Sequence, residues 1–194
     1  MPRNEHFAYT LRIDLVDSKP PIWRRIGVDS QITLGRLHDV IQAAFGWTDM
    51  HLHAFEIDDD QFGKPDADPW GDLHFIDENK VRLAELVGQG EKFIYRYDFG
   101  DNWEHRIKVE KVEPMGTLPL CFAWLITGKR ACPLEDSGGI WGYEEFLEKT
   151  RDPDDPEAQE MLEWAGGEFD PEHFDIEETK AAVLEVSKRP KSRK

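Results

Sequence analysis

The chain has 194 residues, of which 39% are hydrophobic and 33% charged, a composition typical of folded globular proteins and not of disordered chains. No apolar run approaches the roughly 18 residues of a membrane span, and the N-terminus has no apolar block of the signal-peptide kind. The formal net charge of −16 opposes direct binding to nucleic-acid phosphates. We therefore expect a cytoplasmic protein that does not associate with membranes.

Charge and residue composition divide the chain into a long acidic body and a short basic C-terminal segment. Residues 1–187 are predicted to form one domain, rich in sheet over residues 7–115 and helical over residues 140–187. The last seven residues, 188–194, have the sequence KRPKSRK and are predicted to be a disordered tail. The body is therefore even more acidic than the net charge of the whole chain indicates.

Two cysteines occur, Cys121 and Cys132. Structural disulfides are rare in cytosolic proteins. We expect free thiols, with metal ligation as the alternative.

The first predicted elements are two strands. Residues 7–16 alternate between apolar and polar side chains, which indicates a half-buried strand. A second strand is predicted over residues 22–28. The two strands flank the sequence Lys19-Pro20-Pro21, which breaks a strand, and are expected to pair as an antiparallel ribbon with this turn at its tip.

A helix and a third strand follow the ribbon. Thr33 is a good N-cap, the apolar residues from 34 to 45 recur at helical spacing, and Gly46 provides a stop. Alternation returns over residues 51–58. Residues 58–72 are rich in Asp, Gly and Pro and are predicted to form a surface loop, which a short helical turn over residues 82–87 follows.

The middle of the chain predicts a β-hairpin. Residues 92–99 and 102–113 alternate and are joined by a turn centred on Gly100 and Asp101. A loop over residues 116–133 and three helices, over residues 143–150, 156–165 and 176–187, complete the chain. The order of elements predicts an α+β fold, in which a mixed or antiparallel sheet with one packed helix, similar in plan to a β-grasp fold, precedes a helical C-terminal region. Tryptophans 23, 47 and 103 are predicted to be buried.

The hairpin turn has the highest density of ligand-capable residues. Asp98, Asp101 and His105 surround the turn and could bind a divalent cation, because carboxylates and imidazole are common metal ligands. Trp103 supplies an aromatic neighbour. The alternative is a turn in which the aspartates cap backbone N–H groups and His105 has a structural role.

A second candidate segment runs from Cys132 to Tyr143 and contains Glu135, Asp136 and Trp141. Paired carboxylates can raise one pKa for acid–base chemistry or hold a metal. The alternative is that they cap the N-terminus of the following helix.

A third candidate is the pair His51 and His53, with His38 on the preceding helix. Strand alternation would place His51 and His53 on the same face, as in a two-point metal site. A surface pair of histidines is the alternative.

The hairpin turn and the segment 132–143 are predicted to lie side by side and to form the principal functional cleft. If Asp98, Asp101 or His105 lies within about 8 Å of Glu135 or Asp136, a bound cation or polar ligand is expected there. The candidate binding residues are Asp98, Asp101, Trp103, His105, Glu135, Asp136, Trp141 and Tyr143, and the candidate metal ligands among them are Asp98, Asp101, His105, Glu135 and Asp136.

Several segments resemble the plasmid pRiA4b ORF-3-like family, whose members are also described as TnpR-like passengers of mobile elements. The resemblance covers nearly the whole chain. The segments that carry it are PPIWRR at 20–25, Leu34, Leu37-His38, IQAAFGW at 41–47, HLH at 51–53, YDFGDNWEH at 97–105, CPLEDSGGIWGY at 132–143 and Phe169-Asp170. It implies an α+β fold and no particular activity. Ser137 stands where many members have Cys, which argues against a multi-cysteine metal site.

Three functions remain open at this point. The first is a non-enzymatic binding module whose acidic, aromatic cleft holds a protein, a peptide or a small polar ligand, with Trp23, Trp103 and Trp141 as anchors. The second is a metal-dependent hydrolase or nuclease, which would require a divalent metal as cofactor. The third is an accessory DNA-binding protein, which the net charge disfavours.

Overall fold

The structure is a computed structural model that describes residues 5–65, 74–116, 120–152 and 155–188. Its described residues form an eight-stranded sheet in the order β5-β4-β3-β6-β7-β1-β2-β8 and five helices. The strands are β1 (Phe7–Leu15), β2 (Trp23–Asp29), β3 (His53–Ile57), β4 (Asp60–Gly63), β5 (Ile76–Asp77), β6 (Lys92–Tyr97), β7 (Trp103–Pro114) and β8 (Ala123–Lys129). The helices are α1 (Leu34–Phe45), α2 (Leu83–Leu86), α3 (Gly139–Lys149), α4 (Pro156–Trp164) and α5 (Ile176–Val186).

The sheet confirms the predicted α+β class. All neighbouring strands pair antiparallel except β4 and β5, which are parallel, so the sheet is mixed. The predicted ribbon is the β1–β2 pair, and the predicted hairpin is the β6–β7 pair. Among the described residues, no helix combines the length and apolar character needed to cross a bilayer.

Helix α1 covers the sheet as the sequence predicts. The Thr33 side chain accepts a hydrogen bond from the Arg36 N–H, and Gly46 ends the helix in the left-handed conformation at φ 81°. Leu34, Leu37, Ile41 and other apolar side chains of α1 are buried in the same core as the inward side chains of β1, β6 and β7. The core also includes Tyr143 and Phe146 of α3 and Val183 of α5.

The predicted loop over residues 58–72 is wrong where β4 forms. Asp58 adopts φ 54° at the tight connection, which lets Asp60–Gly63 fold back onto β3. The loop was predicted because Asp, Gly and Pro are common in turns. Pairing of residues 60–63 with β3 instead makes this segment a strand of the sheet. Residues 66–72 of that predicted loop lie outside the described residues.

The predicted loop over residues 116–133 is also wrong, because β8 occupies its centre and pairs with β2. A Cβ atom on Gly27 would lie 2.1 Å from the Trp124 ring, so only glycine allows the two strands to pack in this way. Helix α3 begins at Gly139, four residues before the predicted start, although its first turn contains glycines of low helix propensity. The predicted tail begins at Lys188, which forms an isolated antiparallel β-bridge with Cys121. Residues 189–194 lie outside the described part of the chain.

The predicted burial is confirmed for Trp47 and Trp103 and is wrong for Trp23. Alternation along β2 turns Arg24 into the protein, where it is 3% exposed, and turns Trp23 to the opposite face. There Trp23 is half-buried beneath the guanidinium of Arg12, which lies 4.1 Å from the ring centre.

Arg24 ties three elements together through backbone carbonyl groups. It donates to the oxygens of Ala44, Trp23 and Lys129 at 2.8, 2.9 and 2.9 Å. The Ala44 oxygen belongs to the last turn of α1, where carbonyls have no partner within the helix. Arg24 therefore joins the end of α1 to β2 and to the end of β8.

We predict that Arg24→Met lowers the free energy of unfolding by roughly 2–4 kcal/mol, because it leaves buried carbonyls without donors while keeping an apolar stem. Arg25→Met is the matched control. Arg25 projects from the other face into a partly exposed pair with Glu110, so its loss should cost less than about 1 kcal/mol. Urea unfolding of both variants measures the difference, and equal losses would contradict the role assigned to Arg24.

Candidate functional site

The hairpin turn between β6 and β7 spans residues 98–102. Its position at Gly100 and Asp101 is as predicted, but the left-handed residues are Asp98 and Asn102, at φ 55° and 56°. The Asn102 N–H donates to the Asp98 carbonyl at 2.6 Å, and the Gly100 N–H donates to Asp98 Oδ1 at 2.9 Å. One carboxylate oxygen of Asp98 therefore closes the turn and leaves Oδ2 facing outward from it.

The start of α3 packs directly against this turn. The Gly138 N–H donates to Asp101 Oδ2 at 3.0 Å. Gly139, at φ 70°, lies so close that a Cβ atom would be 2.3 Å from the Asp101 carbonyl oxygen. The absence of a side chain at Gly139 therefore allows the predicted juxtaposition of the turn with the segment 132–143.

Glu135 anchors the same segment from its other side. It accepts hydrogen bonds from the Tyr97 hydroxyl and from the Thr48 N–H. The Trp47 indole donates to the Pro133 carbonyl at 2.9 Å. Burial, followed by the bond to Glu135, raises the pKa of Tyr97 well above its ordinary value, so Tyr97 acts as a hydrogen-bond donor at neutral pH.

His51, Asp98 and Asp136 converge at this junction. His51 Nδ1 lies 3.6 Å from Asp98 Oδ2, and His51 Nε2 lies 3.1 Å from Asp136 Oδ1. One ligand atom from each of the three residues falls within 4.8 Å of the others. The structure thus brings together two predicted carboxylates, Asp98 and Asp136, with a histidine that the sequence had grouped elsewhere.

His105 lies apart from this cluster. Alternation along β7 directs it inward, where it is fully buried and its ring packs edge-on against Phe45 at 4.7 Å and Trp47 at 5.2 Å. Its Nδ1 lies 3.1 Å from the Trp103 carbonyl oxygen. Burial lowers the pKa of His105 to about 3. The structure therefore assigns His105 to the core and not to a ligand set with Asp98 and Asp101.

The structure places His51 and His53 in separate polar clusters, although their rings lie near neighbouring tyrosines of β6, Tyr97 and Tyr95, at 5.8 and 5.9 Å. Strand β3 begins at His53, so His51 precedes the alternating pattern. His53 is buried, and its Nε2 lies 2.7 Å from Glu78 Oε2, while the two side chains are both 1% exposed. His51 instead faces Asp98 and Asp136.

His53 belongs to a second polar cluster that includes His38. The two imidazole rings are stacked, with centroids 3.5 Å apart and planes 6° from parallel. His38 Nε2 lies 2.9 Å from Asp49 Oδ1, and its Nδ1 lies 2.8 Å from the Tyr95 hydroxyl. Burial and then the neighbouring His53 lower the pKa of His38 to about 3. These long-range partners have no spacing signal that sequence reasoning could have used.

The cluster around His38 and His53 does not have the geometry of a metal centre, although the ligand atoms of His38, Asp49 and His53 lie within 4.8 Å of one another. Imidazole binds a cation in the plane of its ring, and one cation cannot lie in two parallel planes. We interpret these contacts as a buried hydrogen-bond network that joins α1 to β3 and β6.

An acidic cleft of about 390 Å³ opens where the β1–β2 connection, the hairpin turn and the start of α3 meet. Among the described residues that line it, there is no Lys, Arg or His. Its acidic lining residues are Asp17, Asp101 and Glu104, and Trp141, 80% exposed, stands at its side. The sequence identified Asp101 and Trp141 but missed Asp17 and Glu104.

The surroundings of the remaining candidate residues, Trp103 and Tyr143, indicate structural roles. Trp103 borders the cleft but is only 1% exposed. Tyr143 is buried and packs edge-on near Phe169, at 6.2 Å. Cys121 and Cys132 are free thiols, as expected, and burial raises the pKa of Cys132 well above its ordinary value. Neither cysteine belongs to a ligand cluster within the described ranges.

The fold and this junction define a sheet-based α+β protein with a glycine-dependent contact between two loops. The family model for the plasmid pRiA4b ORF-3-like protein matches residues 7–178, so the chain belongs to that family.

Two relatives extend the comparison. The chain is 44% identical over 160 residues to the uncharacterized protein y4hQ of Sinorhizobium fredii, covering 80% of this chain and 79% of the relative. The crystal structure of the protein of unknown function MM3350 from Methanosarcina mazei Go1 is similar, with a TM-score of 0.76 and 35% identity. The match covers 91% of this chain and 98% of that one.

The buried neutral state of His105 predicts a pH dependence of stability. Its folded pKa of about 3 lies below the value of about 6.5 in an unfolded chain. Between these values only the unfolded chain binds the proton, so the free energy of unfolding falls as the pH falls. We expect His105→Phe to reduce this slope by about 1 kcal/mol per pH unit between about pH 4 and pH 6.

Urea unfolding at a series of pH values measures the slope. Above about pH 8 neither state of His105 binds a significant fraction of a proton, so wild type and variant should show the same slope there. Parallel curves through the acidic range would contradict the neutral, buried state of His105.

Proposed function

We propose that this protein is a binding module whose acidic cleft holds a cationic side chain of a protein or peptide partner. The observation that carries the proposal is the lining of the cleft, which combines Asp17, Asp101 and Glu104 with the exposed Trp141 and contains no basic side chain among the described residues. Such a lining attracts Lys or Arg and repels anionic ligands.

The carboxylates of the cleft retain much of their capacity to accept hydrogen bonds. Asp17 makes no side-chain hydrogen bond or ion pair with any residue in the described ranges. Glu104 accepts a hydrogen bond from the Arg96 guanidinium through Oε2 at 3.4 Å and forms an ion pair with it. The Asp101 side chain accepts one backbone N–H through Oδ2, which leaves Oδ1 for a ligand. A cationic group in the cleft would therefore meet several acceptors at once.

Trp141 adds an aromatic surface to this charge pattern. Trp141 is 80% exposed on the first turn of α3, an unusual position for a large apolar side chain. A cation held over the face of a tryptophan gains about 0.5–2 kcal/mol. Trp141 and the carboxylates thus favour the same class of ligand.

The other candidate functions have weaker support. A nuclease or a DNA-binding protein would have to bring phosphates to an acidic surface, which costs electrostatic energy. The hydrolase hypothesis requires a single ligand set of Asp98, Asp101, His105, Glu135 and Asp136. His105 instead faces the aromatic core, and Glu135 accepts hydrogen bonds from Tyr97 and Thr48.

A fluorescence titration with labelled tetralysine tests the proposal. We expect binding to the wild type that weakens as salt is added, and no binding of labelled tetraglutamate. Trp141→Ala and Asp17→Asn should each weaken binding by roughly 3- to 10-fold, which corresponds to the loss of one cation–π or one exposed ionic contact.

Trp164→Ala is the matched control, because Trp164 is 56% exposed on α4 and does not line the cleft. It should bind tetralysine like the wild type. The proposal fails if the wild type does not bind tetralysine, or if Trp164→Ala weakens binding as much as Trp141→Ala does.

A further inference from the structure

We propose that His51, Asp98 and Asp136 form a binding site for a divalent transition-metal ion. The site uses a different set of side chains from the cationic-ligand cleft, and neither proposal depends on the other. It rests on the convergence of three ligands from separate segments: the entry to β3, the hairpin turn and the segment before α3.

The carboxylate oxygens are arranged so that one from each aspartate faces His51. Asp98 uses Oδ1 to accept the Gly100 N–H, and its Oδ2 lies 3.6 Å from His51 Nδ1. Asp136 Oδ1 lies 3.1 Å from His51 Nε2. The separations of 3.1 and 3.6 Å are close to the roughly 3.0–3.4 Å between neighbouring ligand atoms that are each about 2.1 Å from one cation. The whole set lies within 4.8 Å, so small side-chain movements would close it around an ion.

His51 supplies an independent observation. Its Nε2 has almost no exposed surface and makes no hydrogen bond with any described residue, although Asp136 Oδ1 is within 3.1 Å. The contact lacks the alignment of an N–H donor with an acceptor. A buried ring nitrogen without a hydrogen bond is costly, and a cation bound to Nε2 beside the Asp136 carboxylate would satisfy it, with Asp98 Oδ2 approaching from the Nδ1 side of the ring.

The charge balance also favours a cation. Within the described ranges, neither Asp98 nor Asp136 forms an ion pair with Lys or Arg; His51 is the basic partner of both. Two carboxylates this close need a counter-charge or a shared proton. The Asp136 side chain is 70% exposed, so an ion can enter from solvent.

The ligand set indicates the class of metal. One imidazole with two carboxylates suits Mn²⁺, Fe²⁺, Co²⁺ or Zn²⁺ better than the all-oxygen preference of Mg²⁺ and Ca²⁺. Three protein ligands leave at least one coordination position for water or another ligand.

Calorimetric titration of the untagged, metal-free protein with Zn²⁺ and with Mn²⁺ tests the site. We expect one equivalent of at least one of the two metals to bind. His51→Gln, Asp98→Asn and Asp136→Asn should each weaken binding by about tenfold or more. Asn at position 98 can still accept the Gly100 N–H, and Asp136 is exposed, so these variants should remain folded.

Asp58→Asn is the matched control, because Asp58 is an exposed aspartate in the same left-handed conformation, at φ 54°. It should bind metal like the wild type. Thermal unfolding of the metal-free proteins verifies that each variant is folded. The site is ruled out if the wild type binds neither metal, or if Asp136→Asn binds as tightly as the wild type.

Discussion

The close approach of the hairpin turn to the start of α3 is the contact on which both proposed sites depend. A Cβ atom on Gly139 would overlap the Asp101 carbonyl at 2.3 Å, and Gly138 donates its N–H to the Asp101 carboxylate. With a larger residue at position 139, the segment carrying Asp136 would have to move away from the hairpin turn. The acidic cleft lies along the same contact, between Asp101 and Trp141.

Packed aromatic side chains form a platform that supports the hairpin turn. Trp47 stacks near Tyr97 at 5.0 Å, lies 5.8 Å from Trp103 and contacts His105 edge-on. The same Trp47 donates to the Pro133 carbonyl, so one side chain joins α1, the hairpin and the segment before α3. Burial keeps His105 neutral, which avoids an uncompensated charge in this platform. The acidic groups can therefore be concentrated at the turn, where solvent and ligands reach them.

The local pattern of apolar, capping and turn residues predicted the elements whose packing partners are close in the sequence. The alternation of β1 and β2, the capped helix α1 and the β6–β7 hairpin all carry short-range signals that the structure confirms. Strand β8 was missed because its partner β2 lies about a hundred residues earlier, and its packing depends on Gly27. Hydrophobicity predicts that Trp23 is buried and Arg24 exposed, and the structure shows the opposite orientation. Arg24 can point inward because it donates to three backbone carbonyl groups there.

The candidate site could be predicted only in part for the same reason. Asp98, Asp101 and Asp136 stand out because carboxylates and glycines cluster around them in sequence. His51 was paired with His53 by spacing, whereas the backbone before β3 turns it toward Asp136. Asp17 carried no local signal at all, since its place in the cleft follows from the pairing of β1 with β7.

The most direct test of this account is the affinity of Gly139→Ala for both tetralysine and the divalent metal. The matched control is Gly90→Ala, which imposes the same positive-φ strain, at φ 92°, but has no atom within 4 Å of the added Cβ. If the contact between the turn and α3 builds both sites, Gly139→Ala loses both affinities and Gly90→Ala keeps them. Unchanged affinities in folded Gly139→Ala would contradict the account.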